Sequence, residues 1–118
     1  MPRALHHPRR EQLTLTSVLE ALSDPVRLDI VARLHQSGEQ ACGAFRDLGG
    51  KANLTYHLAR LREAGVTQTR LEGPFRYITL RSRDLETRFP GVLSAVLASA
   101  RRDRSARPAA PATAARAR

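Results

Sequence analysis

Residues 51–65 carry the side chains with the most pronounced chemistry at the most regular spacing. Leu54, Leu58 and Leu61 recur at i, i+4 and i+7, which places them on one face of an α-helix. The other face holds Asn53, Thr55, Tyr56 and Arg60. Asn pairs with adenine through two hydrogen bonds, and Arg with guanine or a phosphate. Lys51, beside the helix start, suits a phosphate because the backbone amides there also point at an anion. His57 flanks the apolar stripe, so it fits either a phosphate contact or a packed structural histidine. A helix that is apolar on one side and rich in donors and acceptors on the other meets the needs of major-groove reading. The competing account is an ordinary solvated helix face.

The other reactive residues are sparse. Cys42 is the single cysteine, which excludes an internal disulfide and fits a reducing compartment. It reads as a small half-buried residue or as a thiol that senses metal or oxidant. His6 and His7 are adjacent in a basic segment and make at best a weak chelate. His35, near a helix end, complements the helix dipole. No phosphate-binding loop, Ser/His/Asp arrangement, paired catalytic carboxylates or complete metal ligand set is present, so the chain does not read as an enzyme. No site for a certain cofactor emerges; a transition metal, nickel or zinc, is the only candidate.

Several elements must position the reading face. Leu15, Val18, Leu19 and Leu22 predict a helix over 11–22. Ser23-Asp24-Pro25 is a helix start, a capping residue followed by Pro in the first turn. That second helix runs to about Gln36, and Ser37-Gly38 ends it. Residues 42–48 predict a short helix, Gly49-Gly50 a tight turn, and 51–65 the reading helix, with Gly50 in the capping position. Val66–Thr69 and Phe75–Leu80 predict two strands around Leu71-Glu72-Gly73-Pro74, a β-hairpin over 66–80. Its flanking Arg70 and Arg76 are candidates for backbone or minor-groove contact. A last helix over about 82–102 contains Pro90 as a kink or a fresh start. Short helix, turn, helix and hairpin in that order predict a mainly α winged helix-turn-helix with a small β-hairpin. Residues 1–10 read as a flexible basic arm, 11–102 as the domain, and 103–118 as a disordered Arg/Ala/Pro tail.

Charge supports a polyanion partner. The formal net charge is +9, and its placement matters more than its size. Residues 51–83 hold seven bases against Glu63 and Glu72, and the last eighteen residues hold six Arg against Asp103. Residues 11–50 hold three Arg against six acids. Positive charge thus lies on the reading element and the ends, around an acidic body. Having 19 Arg against one Lys points to a GC-rich genome; codon usage accounts for the choice of Arg but not for where the charge sits. No apolar run approaches the ~20 residues of a membrane span, and no basic-then-apolar leader opens the sequence, so a cytoplasmic, nucleoid-associated protein is expected.

Leu22-Ser23-Asp24-Pro25-Val26-Arg27-Leu28-Asp29-Ile30 resembles the opening motif of the ArsR-type (arsenical-resistance-repressor-like) winged-helix regulators. Leu54-Thr55-Tyr56-His57-Leu58, then Leu61-Arg62-Glu63-Ala64-Gly65-Val66, resembles their reading helix, and Glu72-Gly73-Pro74-Phe75-Arg76-Tyr77 their wing tip. The resemblance covers about residues 11–100. It implies a homodimeric bacterial repressor that binds a pseudo-palindromic operator and is released by a metal, a redox signal or a co-regulator protein. It further implies that the first and last helices form the dimer interface, here through Leu15, Val18, Leu19, Phe89, Val92, Leu93, Val96 and Leu97. The chain departs from the family at its metal sites. Many members carry a cysteine pair before the turn, where this sequence has only Cys42, and no His follows His57 to complete a site on the last helix. An alternative function is a basic winged-helix module that binds a partner protein, with nucleic acid incidental.

Overall fold

A computed structural model of the chain describes residues 5–106. It contains α1 (Leu15–Ala21), α2 (Pro25–Ser37), β1 (Gln40–Ala41), a 3-10 helix (Cys42–Leu48), α3 (Lys51–Glu63), β2 (Thr67–Glu72), β3 (Phe75–Leu80), α4 (Ser82–Arg88) and α5 (Val92–Ala106). The first predicted helix is shorter than expected. A 3-10 turn at Arg10–Gln12 precedes it, and Thr14 starts α1 by accepting a hydrogen bond from the Ser17 N–H at 3.3 Å. Asp24 caps α2 as its sequence predicts, accepting from the amides of Val26 and Arg27 at 2.8 and 3.1 Å.

The first strand of the hairpin starts at Thr67 rather than Val66 and runs on to Glu72 instead of ending at Thr69, and the sheet gains a third strand. β2 and β3 pair antiparallel from Thr67↔Leu80 to Glu72↔Phe75. Leu71 and Glu72, expected in the turn, therefore belong to the ladder, and only Gly73-Pro74 connects the strands. Gly73 has φ +58, the positive φ that the first central position of such a two-residue loop favours. Gln40 and Ala41 pair with Ile78 and Tyr77, so the sheet order is β1-β3-β2. A two-residue strand leaves no alternation to read, because it is defined by its partner.

The core gathers Ile30, Val31, Leu34, Phe45, Leu54, Leu58, Leu61, Val66, Ile78 and Leu85. It glues α2, the 3-10 helix and α3 to the sheet, which holds α3 by its apolar stripe. After α3 the chain turns sharply at Gly65, whose φ is +84. A Cβ there would lie 2.0 Å from Leu13 Cδ2, so both conformation and space require glycine. The predicted last helix is two helices. Pro90 is a fresh start rather than a kink, with Gly91 at φ +81 between α4 and α5.

The two chain ends differ from expectation. Residues 5–10, read as part of a flexible arm, lie against the domain. Pro8 is buried, its carbonyl accepts from Arg81 Nη1 at 2.8 Å, and His7 Nε2 accepts from the Thr69 N–H at 3.0 Å. Residues 103–106, read as the start of the tail, continue α5. The rest of the tail, 107–118, and residues 1–4 lie outside the described residues.

Candidate nucleic-acid interface

The predicted reading face sorts into two groups. Lys51, Asn53, Thr55 and Tyr56 are exposed on the first turns of α3, and Tyr56 keeps 56% of its surface accessible. Thr55 Oγ1 donates to the Lys51 carbonyl at 2.9 Å, which leaves its lone pairs outward. Gly50 opens α3 from an extended conformation without a side-chain cap. The open end of α3 thus presents free amides, a cation, an amide side chain and a phenol side by side. In this arrangement amides and Lys51 can hold a phosphate while Asn53 and Tyr56 reach base edges.

His57 and Arg60 belong to the other group. His57 is only 7% exposed and is a packed histidine, not an exposed contact. Its Nδ1 lies 3.1 Å from Arg27 Nη1. A guanidinium only donates, so Nδ1 accepts and the ring proton sits on Nε2, which faces Asp24 Oδ2 at 3.8 Å. Arg27 is itself 6% exposed. Its Nε donates to the Ala21 carbonyl at 2.6 Å and its Nη2 to the Glu20 carbonyl at 3.4 Å. One guanidinium therefore ties the end of α1 to the middle of α3, and Asp24 joins the same cluster while capping α2. Arg60 points back as well, with Nη2 2.5 Å from Glu20 Oε1. That hydrogen bond raises the Arg60 pKa above its ordinary value.

The wing has one braced and one outward arginine. Arg70 Nη2 lies 3.1 Å from Glu39, Nη1 pairs with Glu72, and the guanidinium stacks 4.7 Å from the Tyr77 ring centroid. The hydrogen bonds to Glu39 and Glu72 raise its pKa. Two carboxylates thus neutralise the Arg70 charge, and its role here is to brace the wing against the α2–β1 loop. Arg76 is exposed, and next to it Phe75 stands 58% exposed at the wing tip. Sequence spacing places Phe75 only at the start of a strand, and its exposure at the wing tip follows from its pairing with Glu72 beside the Gly73-Pro74 turn.

Cys42 is half-buried where β1 meets the 3-10 helix. Among the described residues, no group of three or more His, Cys, Asp and Glu is placed to hold a metal ion. His7, a candidate chelator from its neighbour His6, instead accepts from the β2 edge, and burial followed by the nearby Arg62 lowers its pKa below 6.5. No helix among the described residues is long and apolar enough to cross a membrane.

This architecture is shared with characterised folds. A family model described as a helix-turn-helix domain matches residues 22–70, from the end of α1 through α3 into the wing. The uncharacterised HTH-type transcriptional regulator YceK of Bacillus subtilis is 39% identical over 82 residues, spanning 64% of this chain and 79% of YceK. This chain belongs to the ArsR-type helix-turn-helix transcriptional regulators. The transcriptional repressor BigR of Xylella fastidiosa superposes with a TM-score of 0.53 at 30% identity, over 64% of this chain and 85% of BigR. An ArsR family transcriptional regulator of known structure superposes at 0.57 with 20% identity, over 87% of this chain and all of that one, which bears on the fold. The regulator is a DNA-binding protein of a non-enzymatic family, and its winged helix-turn-helix places α3 and the wing on one structural framework.

Proposed function

We propose that this regulator is a repressor that binds a pseudo-palindromic operator as a homodimer and releases it on a signal. The observation that carries the reading is the exposed cluster Lys51, Asn53, Thr55 and Tyr56 at the open end of α3, held in place by the buried stripe beneath it. Lys51 takes phosphate; Asn53, Thr55 and Tyr56 read bases in the major groove; Arg76 contacts the backbone or minor groove from the wing. Arg60 and Arg70 contribute only by exchanging their carboxylate partners for phosphate. The excess of Arg over acid in the last eighteen residues adds salt-sensitive, sequence-independent attraction. Footprinting on the gene's own upstream region is the direct test. The expected result is two protected half-sites about one helical turn apart; uniform protection that disappears with salt would favour the protein-interaction module.

The homodimer reading rests on α1 and α5. Val18, Leu22, Leu85, Phe89, Val92 and Leu93 line one apolar cleft between the end of α1, α4 and the start of α5. Val18 and Leu93 are already buried within the chain and support the interface from behind. Leu15 and Leu19 remain 41% and 43% exposed on α1, and Val96 and Leu97 are partly exposed on α5. An apolar strip of this kind is what a second copy would cover. Changing Leu15 and Leu19 together to Glu is expected to give a monomer in analytical ultracentrifugation at micromolar concentration, with the helical circular dichroism retained. A dimer of unchanged stability would place the interface elsewhere. The signal is a metal, an oxidant acting at Cys42 or a co-regulator protein. Band shifts with nickel, zinc, cobalt and copper, with and without reductant, separate direct sensing from a partner-driven switch.

A further inference from the structure

A cavity of about 110 Å3 opens between α3, the sheet and the docked N-terminal segment. Leu5, Leu58 and Ile78 supply apolar walls, while Arg62, Arg76 and the Cys42 thiol supply its polar chemistry. Arg62 Nε is buried and has no hydrogen-bond partner. A buried donor without an acceptor is destabilising, so Arg62 Nε is available to hydrogen-bond an acceptor that enters the cavity. The arrangement is two guanidinium groups against an apolar floor. Thr55 and Thr69 also line the cavity, so it borders the DNA-reading cluster at Thr55 and Arg76, whereas Arg62 faces only the cavity and plays no part in that reading.

We propose that this cavity is a binding site for a small aliphatic monocarboxylate, with the carboxylate on Arg62 and Arg76 and the short alkyl end against Leu5, Leu58 and Ile78. Guanidinium groups pair with carboxylates through charge-assisted hydrogen bonds that are stronger than neutral ones. Size sets the limit on the alkyl end. A cavity of roughly 150 Å3 accepts benzene, so this one suits about five non-hydrogen atoms, the size of propionate. The docked segment that carries Leu5 forms one wall, fixed by His7 on Thr69 and by Arg81 on Pro8. Because Arg76 is also proposed to contact DNA, any effect of the ligand on operator affinity rests on that reading; occupancy of the cavity does not.

Cys42 makes occupancy measurable without DNA. Iodoacetate is a monocarboxylate of the right size, and iodoacetamide is its neutral counterpart. In either reaction the Cys42 thiolate attacks the methylene carbon, the S–C bond forms as the C–I bond breaks, iodide leaves and the thiol proton passes to buffer. A solvent-exposed thiol does not favour the acid over the amide. In the full-length protein, iodoacetate is expected to alkylate Cys42 about tenfold faster than iodoacetamide, with a rate that saturates in iodoacetate. Propionate should protect Cys42 and propionamide should not. Arg62→Gln should abolish the preference while leaving the melting temperature near that of the wild type. If that variant does not fold, the propionate and propionamide comparison on the wild type decides alone. Faster reaction with iodoacetamide, equal protection by propionamide, or protection by phosphate as strong as that by propionate would each overturn the proposal.

Discussion

Replacing Asn53 and Tyr56 together by Ala is expected to weaken binding to the gene's own upstream operator by on the order of a hundredfold or more, while binding to scrambled DNA barely changes. Both side chains are exposed on the first turns of α3, and neither belongs to the buried core. Their removal therefore leaves the helix seated on Leu54, Leu58 and Leu61. Each base contact of this kind contributes about 1–3 kcal/mol of discrimination, and two lost contacts give the stated factor. The phosphate contacts proposed for Lys51 and Arg76 are untouched by these changes, so the salt dependence of the residual binding should be unchanged. Arg60→Ala should cost much less, because its charge is already paired with Glu20 at 2.5 Å. Fluorescence anisotropy at fixed salt, with operator and scrambled duplexes side by side, reads all of these differences. If the double variant kept its specific affinity, α3 would not be the reading helix and the protein-interaction module would gain the field. Loss on both duplexes alike would instead point to an electrostatic patch without sequence readout.

The parts of this fold that were legible in the sequence are those written in local spacing. The i, i+4, i+7 stripe of Leu54, Leu58 and Leu61 and the Asp24-Pro25 cap each depend on residues a few positions apart and stand where expected, and the turn expected over Leu71–Pro74 narrows to Gly73-Pro74. What was not legible depends on distant partners. Gln40 and Ala41 have strand geometry only because Ile78 and Tyr77 lie beside them. The Pro/Arg-rich start reads as disordered by composition, yet Pro8 is buried and His7 meets an unpaired edge amide of β2. Among the candidate contacts the same rule holds. Asn53 and Tyr56 are outward by helical phase alone, whereas Arg60 and Arg70 are turned aside by Glu20 and Glu39, 40 and 31 residues away. A charge count cannot distinguish a free arginine from one already neutralised. His57 was ambiguous in sequence because it borders the stripe; its partner, Arg27, settles it and stands 30 residues earlier.

Arg27 carries the largest expected effect on stability. Its guanidinium is nearly inaccessible and serves three acceptors on two elements: the carbonyls of Glu20 and Ala21 and the Nδ1 of His57. In Arg27→Ala the Ala21 carbonyl and His57 Nδ1 stay buried and lose that donor, while the Glu20 carbonyl keeps the Ser23 amide and hydroxyl. An unsatisfied buried polar group costs about 1–3 kcal/mol, and the lost aliphatic stem leaves a void as well. Together they predict a destabilisation of about 3–5 kcal/mol, a large part of the stability of a domain this small. Arg27→Lys should recover little, because one ammonium cannot reach three acceptors spread over a planar fork. His57→Ala should cost less than Arg27→Ala, since Arg27 would keep both carbonyls. The two changes should also be markedly non-additive, because they remove one shared contact. Urea denaturation of the two single variants and the double variant measures this coupling. Equal and additive losses would mean that Arg27 and His57 stabilise the domain independently, and that α1 and α3 are joined by the apolar core alone. The coupled result would instead mean that the orientation of the reading helix is set by a buried polar joint. Asp24, which caps α2 and faces His57 Nε2 at 3.8 Å, then links that joint to α2 as well.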